Sequence, residues 1–268
     1  MRAGGTAVFL HCGTHSVPEV LYWGRDIGPL SHESLATWEY TRPGIGGGTA
    51  DVAPRLSLVP TQAEGWLGTP GLEGSRAGFG QFSAFIPTAI TILANDGTEG
   101  APSHVRVTTH DDEADLDLII DIELSPSGLL RTKAALVNQG EDGYAVGSLM
   151  MALPVPANET FVIDQSGHHL RERDTSTHEF SIGVHERNNR IARGHAMSSI
   201  HGTCEPETGW HHGEVHYIHV AWSGNTRTIA ERNVVGQNAL LGGELLLPGE
   251  VTLGHGEWYE TPWIVATW

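Results

Sequence analysis

Residues 105–124 read VRVTTHDDEADLDLIIDIEL. In the second half Leu116, Leu118, Ile120, Ile122 and Leu124 fall on one parity, with Asp115, Asp117, Asp121 and Glu123 on the other. A period of two with an apolar and an acidic side is the pattern of a half-buried strand. Ser125-Pro126-Ser127-Gly128 then supplies a turn, and Leu130, Thr132, Ala134 and Leu136 alternate through a second run, 129–138. The two runs predict an antiparallel hairpin over 115–138, with Leu116, Leu118, Ile120, Ile122 and Leu130 toward the core.

Outward from this hairpin, short runs of the same kind recur at 7–10, 20–23, 82–86, 147–154, 161–164, 215–222, 226–234, 244–247 and 259–266, each bounded by Gly, Pro, Asn or Asp. With 34 glycines and 14 prolines in 268 residues, few windows are long enough for a helix. The best helical candidate is 31–40, one or two turns. The fold class is therefore all-β, antiparallel, with few short helices: a sandwich or a barrel. No fixed-length repeat is visible, which argues against propellers and solenoids. Residues 41–80, which contain GIGGG and further Pro-Gly turns, break the strand rhythm and are expected to project from one end of the sandwich as a long loop.

The formal charge of −17, from 15 Lys+Arg and 32 Asp+Glu, repels phosphates and anionic lipid, so neither nucleic acid nor a membrane surface is an expected partner. Cys12 and Cys204 lie far apart with no CxxC, and no signal-peptide pattern is seen; the expectation is a cytoplasmic protein with two free thiols. At 39% hydrophobic and 18% charged residues the chain has the composition of a folded domain with a substantial core.

Several clusters invite chemistry. The acids Asp111, Asp112, Glu113, Asp115 and Asp117 suit calcium or acid/base work by residue type, but they lead straight into a strand without the sharp glycine turn of a calcium loop, and the reading is a solvated strand face. His212, Glu214 and His216 alternate in HHGEVHYIH as a metal site on one strand face would require, and His168, His169, His195 and His201 could approach them in space. No established zinc spacing is present, so a polar strand face is the preferred reading and no metal or other cofactor is assigned. Gly44–Gly48 lacks the strand and helix of a phosphate loop, and no G-x-S-x-G or H-E-x-x-H occurs. Eight tryptophans are a more useful signal, since an exposed indole face stacks on sugar rings.

VLYWGRDIG (20–28), LVPTQAEGWLGTPGLEG (58–74), GLLRTKAALVNQG (128–140), MALPVP (151–156), HVAWSGN (219–225) and GELLLPGEVTLGHGEWYETPWIVA (243–266) occur in that order. Together they resemble the N-terminal domain of bacterial α-galactosidases of glycoside hydrolase family 36. Two places depart from the family pattern: GHHLRE at 167–172 lacks a tryptophan, and GHAMSS at 194–199 replaces a Gly-Arg-x-Ser-Ser-like stretch. The resemblance implies a large antiparallel β-supersandwich, galactose mutarotase-like, occupying 1–268 as one domain.

In the family the catalytic aspartates lie in a (β/α)8 barrel that follows this domain. The resemblance therefore implies a chain without catalytic residues of its own, whose parent enzyme hydrolyses terminal α-galactosides such as melibiose or raffinose with retention. It further implies a homo-oligomer in which a loop of this domain reaches a neighbour's sugar pocket. Trp66, between Gly65 and Gly68, is the expected sugar-stacking residue. Asp51 is its expected acidic companion, standing in for a Pro-Arg-x-Asp-like element that reads Pro54-Arg55-Leu56-Ser57 here. The competing readings are a free-standing carbohydrate-binding module and a complete supersandwich sugar enzyme, an epimerase or lyase, using His212 and His216 as acid and base.

Overall fold

The structure, a computed structural model, describes residues 1–40, 55–192 and 199–268. Strands β1 (Arg2–Ala3), β2 (Thr6–His11) and β3 (Glu19–Arg25) form a small antiparallel sheet, followed by helix α1 (His32–Tyr40). Next come β4 (Leu72–Ser75), β5 (Ile86–Ala94), β6 (His104–Asp111), β7 (Leu116–Leu124), β8 (Leu130–Asn138) and β9 (Tyr144–Val155). The rest comprises β10 (Phe161–His168), β11 (Arg171–Glu179), β12 (Gly183–Asn189), β13 (Ile200–Cys204), β14 (Val215–Val220), β15 (Thr226–Arg232), β16 (Asn238–Glu244), β17 (Val251–Leu253), β18 (Trp258–Glu260) and β19 (Ile264–Thr267). A ten-stranded sheet runs β11-β10-β13-β14-β19-β8-β7-β6-β5, with β18 also on β8. A six-stranded sheet runs β12-β15-β16-β9-β17, with β4 also on β9. The pairings among the described strands are antiparallel, so the fold is the all-β sandwich that the sequence predicts.

The hairpin β7–β8 lies inside the large sheet, between β19 and β6, and has the expected register, from Leu116 opposite Asn138 to Leu124 opposite Leu130. Its turn depends on Gly128, whose φ of +87° is left-handed and whose position leaves no room for a side chain: a Cβ there would stand 2.6 Å from Thr6 Oγ1. Leu116, Leu118, Ile120, Ile122 and Leu130 are all buried in the main core, against Leu149, Met151 and Leu153 of β9 and Leu240 of β16. Burial of each such side chain is worth about 1.5–3 kcal/mol. Strand β5 begins where the expected run 82–86 ends, and β16 occupies 238–244 rather than 244–247.

The space between the sheets changes character along its width. At β7, β8 and β9 it is filled by aliphatic side chains. Toward the other end the buried positions turn polar: Glu159, Asp164, His201, Thr203 and His216 are all buried there. Polar side chains enclosed in this way must find partners or carry a desolvation penalty.

Candidate functional site

Residues 41–80 divide in two. On the leading side, Trp38 of α1 packs on Phe9 and Tyr22, with ring centroids 5.6–5.7 Å apart, and fixes the point where the chain leaves the small sheet. On the returning side Arg55 Nη1 donates to the buried Glu19 Oε1 at 3.2 Å, and Ser57 bridges to Glu19 through the backbone. Glu64 then ties the stretch down: Oε1 accepts Val17 N at 2.9 Å, and Oε2 accepts Ser57 Oγ at 2.7 Å. Burial pushes the Glu64 carboxyl above its ordinary range, against the pull of these donors.

Trp66 does not project. It is 4% exposed, clustered with Leu56, Met150, Ala152, Ile229, Ala239 and Leu241, and its indole Nε1 donates to Thr69 O at 3.1 Å. Thr69 N donates to Glu231 Oε2 at 2.8 Å, and Gly68 lies so close that a Cβ would meet Glu231 Oε1 at 2.6 Å. The physical reason is the second, smaller apolar cluster on the outer side of β9, β15 and β16, which an indole closes better than a loop of glycines. Residues 55–80 are thus laid onto the sandwich instead of standing off it. Asp51 and the glycine run Gly44–Gly48 lie outside the described residues.

The polar end of the interior holds two networks. In one, the carboxylate of Glu159 accepts from the Thr203 hydroxyl and from His216 Nδ1 at 2.5 Å, while the His216 ring stands edge-on to Trp23, centroids 4.6 Å apart. In the other, Asp164 of β10 is paired with Arg187 of β12, which joins the two sheets. Burial works to raise the Asp164 carboxyl, but Arg187 and His185 together hold it below the usual carboxylate range. His185 Nε2 lies 3.3 Å from Asp164 Oδ2, and His185 Nδ1 lies 3.3 Å from His178 Nε2.

Other expected clusters come apart. His216 is buried in β14 whereas His212 sits in an exposed turn before the strand, its Nε2 2.6 Å from Glu207 O, so the two do not share a strand face. His168 and His169 are at the exposed β10–β11 tip and His195 lies outside the described residues, but His201 is fully buried. Among the described residues no three or more of His, Cys, Asp or Glu are arranged to hold a metal ion. Asp111 is not solvated: it is buried and accepts from Ala84 N, Glu113 N and Ala114 N, shaping the β6–β7 turn. Asp121 is likewise buried, under His104 and Arg106. Glu159, Asp164, His178, His185 and Arg187 escape sequence reading because they are scattered over four segments. Their one signal is a polar residue at an inward parity.

Residues 16–254 match the glycosyl hydrolase family 36 N-terminal domain. An α-galactosidase of Escherichia coli is 30% identical over 257 residues, 94% of this chain and 34% of that protein. Among solved structures, the family 36 α-galactosidase AgaA of Geobacillus stearothermophilus superposes with a TM-score of 0.82 at 17% identity, covering 100% of this chain and 40% of that one. The α-galactosidase of Lactobacillus brevis gives 0.81 at 17%, covering 100% and 38%. At that identity the likeness to the two structures is one of fold. The chain spans about a third of the length of the curated relative it matches.

Proposed function

Because the chain belongs to the glycosyl hydrolase family 36 N-terminal domain family, we infer that it serves as the non-catalytic N-terminal domain of a retaining α-galactosidase. The observation that carries this reading is the family match over 16–254 together with coverage of only 34% of the E. coli relative. Retaining hydrolysis needs two carboxyls roughly 5–5.5 Å apart across the scissile bond. The buried acids among the described residues are otherwise engaged: Glu19 with Arg55, Asp111 in a turn, Asp121 and Asp164 with cations, Glu159 with Thr203 and His216, Glu231 with Thr69 N. The domain braces a catalytic barrel and lends its loop to the sugar pocket.

In this proposal the parent enzyme acts on terminal α-galactosides and assembles as a homo-oligomer in the cytoplasm; a solved AgaA variant complex contains raffinose and another stachyose. The domain's share in sugar recognition passes through the segment that holds Asp51. Trp66 serves it from below by anchoring the returning arm on the sandwich. The test is hydrolysis of an aryl α-galactoside by the purified 268-residue chain and by the same chain joined to a family 36 barrel. Turnover is expected only from the joined protein. Turnover by the chain alone, lost on substitution of its own residues, would overturn the reading.

A further inference from the structure

Strands β11 and β12 are consecutive in the chain but belong to different sheets, each at an outer edge, so the seam between them closes one side of the sandwich. Four elements face this seam with titratable or charged groups: Asp164 from β10, His178 from β11, His185 and Arg187 from β12, and His201 from β13. The Glu159–His216 pair lies beyond Thr203, on the next strand inward. From β15, the residues opposite His185 and Arg187 are the uncharged Ala230 and Thr228.

The geometry dictates how protons are placed. The Asp164 carboxylate only accepts, so His185 Nε2 must carry a hydrogen toward it across 3.3 Å. His185 Nδ1 in turn lies 3.3 Å from His178 Nε2, so the two rings share a single hydrogen between these atoms. A proton added to His178 would put positive charge close to Arg187 and beside the His185 ring, which lies tilted to it at a centroid distance of 4.3 Å. His201 is more constrained still. It has 0% exposure, neither ring nitrogen has a hydrogen-bond partner among the described residues, and its ring stands 5.2 Å from that of His185. A neutral ring already leaves its polar atoms unsatisfied, and an imidazolium would cost more.

We propose that this seam is an acid-operated latch: neutral imidazoles at His178 and His201 hold the β11 and β12 edges together, and proton uptake releases that edge while the aliphatic half of the sandwich stays folded. The sign follows from the direction of the shifts. Burial pushes His201 down to about 3, and burial together with His185 lowers His178, so the closed seam disfavours the protons that an open one takes up. The latch is at full strength above the ordinary histidine value of 6.5 and weakens as pH falls toward 3. Asp164, which Arg187 and His185 hold below the usual carboxylate range, keeps its ion pair with Arg187 across the seam and works against the opening that the histidines drive. His201 alone then raises the opening equilibrium by up to about tenfold per pH unit, roughly fiftyfold from pH 6.5 to 4.5.

Hydrogen exchange read by mass spectrometry, corrected for the intrinsic pH dependence of exchange, tests this on the chain as it stands. Peptides covering β11 and β12 should lose protection by about fiftyfold or more over that interval. Those covering β7 and β8 should not change. His201→Leu should remove about one tenfold step per pH unit, and His178→Gln should flatten the remaining slope. A slope that is absent in the wild type, equal in both variants, or shared by β7 and β8 would overturn the proposal. Should His201→Leu not fold, imidazole proton resonances of the wild type decide it. At least one histidine is expected to stay neutral down to about pH 5, and titration of every ring near 6–7 would refute the latch.

Discussion

Trp66 carries the sharpest consequence of a single side chain's placement. With its indole enclosed by Met150, Ile229 and Leu241, truncation to alanine opens a cavity, and Trp66→Ala should cost about 3–5 kcal/mol in a denaturant titration. An unchanged midpoint would mean that the ring leaves this cluster in solution. Gly140 is a second such position. Arg76 is buried and donates to Ala114 O at 2.6 Å and Asn138 Oδ1 at 2.8 Å, and a Cβ on Gly140 would stand 2.6 Å from the guanidinium. Gly140→Ala should therefore destabilise by about 1–3 kcal/mol, and a neutral result would show that Arg76 can shift. At the surface, the hydrogen bond that His110 Nδ1 donates to Asp117 Oδ1, 2.7 Å away, raises His110 above the ordinary 6.5. That pairing favours the folded state below pH 6.5 and is lost as pH rises through the raised value. Asp117→Asn should return the His110 titration, followed by NMR, toward 6.5.

The hairpin β7–β8 shows what an element needs in order to be read from sequence. Its two faces differ sharply, its turn has glycine where φ is positive, and the register follows from both. Ile120→Ala should cost about 2–5 kcal/mol, because the side chain is fully buried in the main core. Asp117→Ala, on the outer face, should stay within about 1 kcal/mol. The reverse order of the two costs would contradict the register. Other strands gave no such contrast. Strand β11, RERDTSTHE, is exposed along most of its length, and its buried-side contact is His178 in a polar network, so hydrophobic periodicity is absent where the strand exists. Strand β5 has the opposite difficulty: Ile90 and Ile92 pair with the buried Val107 and Val105 yet are themselves 53% exposed, so apolar residues there mark an edge and not a core. Trp66 fell between these cases, since glycine neighbours are compatible with an indole that projects and equally with one that folds back. Asp164, His185 and His201 meet only through tertiary structure, and nothing in local spacing announces them.

At the scale of the whole molecule, the sandwich and the loop have separable duties in the proposed enzyme. The aliphatic half supplies rigidity, and the loop arms, one held by Trp38 on Phe9 and Tyr22 and the other by Trp66 and Glu64, leave the small sheet and return to the sandwich. If the domain is a brace, weakening its core should lower the temperature at which the parent enzyme inactivates without altering its chemistry below that temperature. Ile120→Ala is expected to lower the Tm by about 2–4 °C for each kcal/mol lost, with kcat and KM for an α-galactoside unchanged at permissive temperature. Asp51→Ala should do the converse, raising KM while leaving the Tm within about 1 °C, as expected for an interaction made with substrate and not with the fold. A loss of kcat in Ile120→Ala well below its Tm would place this domain inside the catalytic machinery. An unchanged KM in Asp51→Ala would remove that residue, and with it the loop's acidic contact, from the sugar pocket.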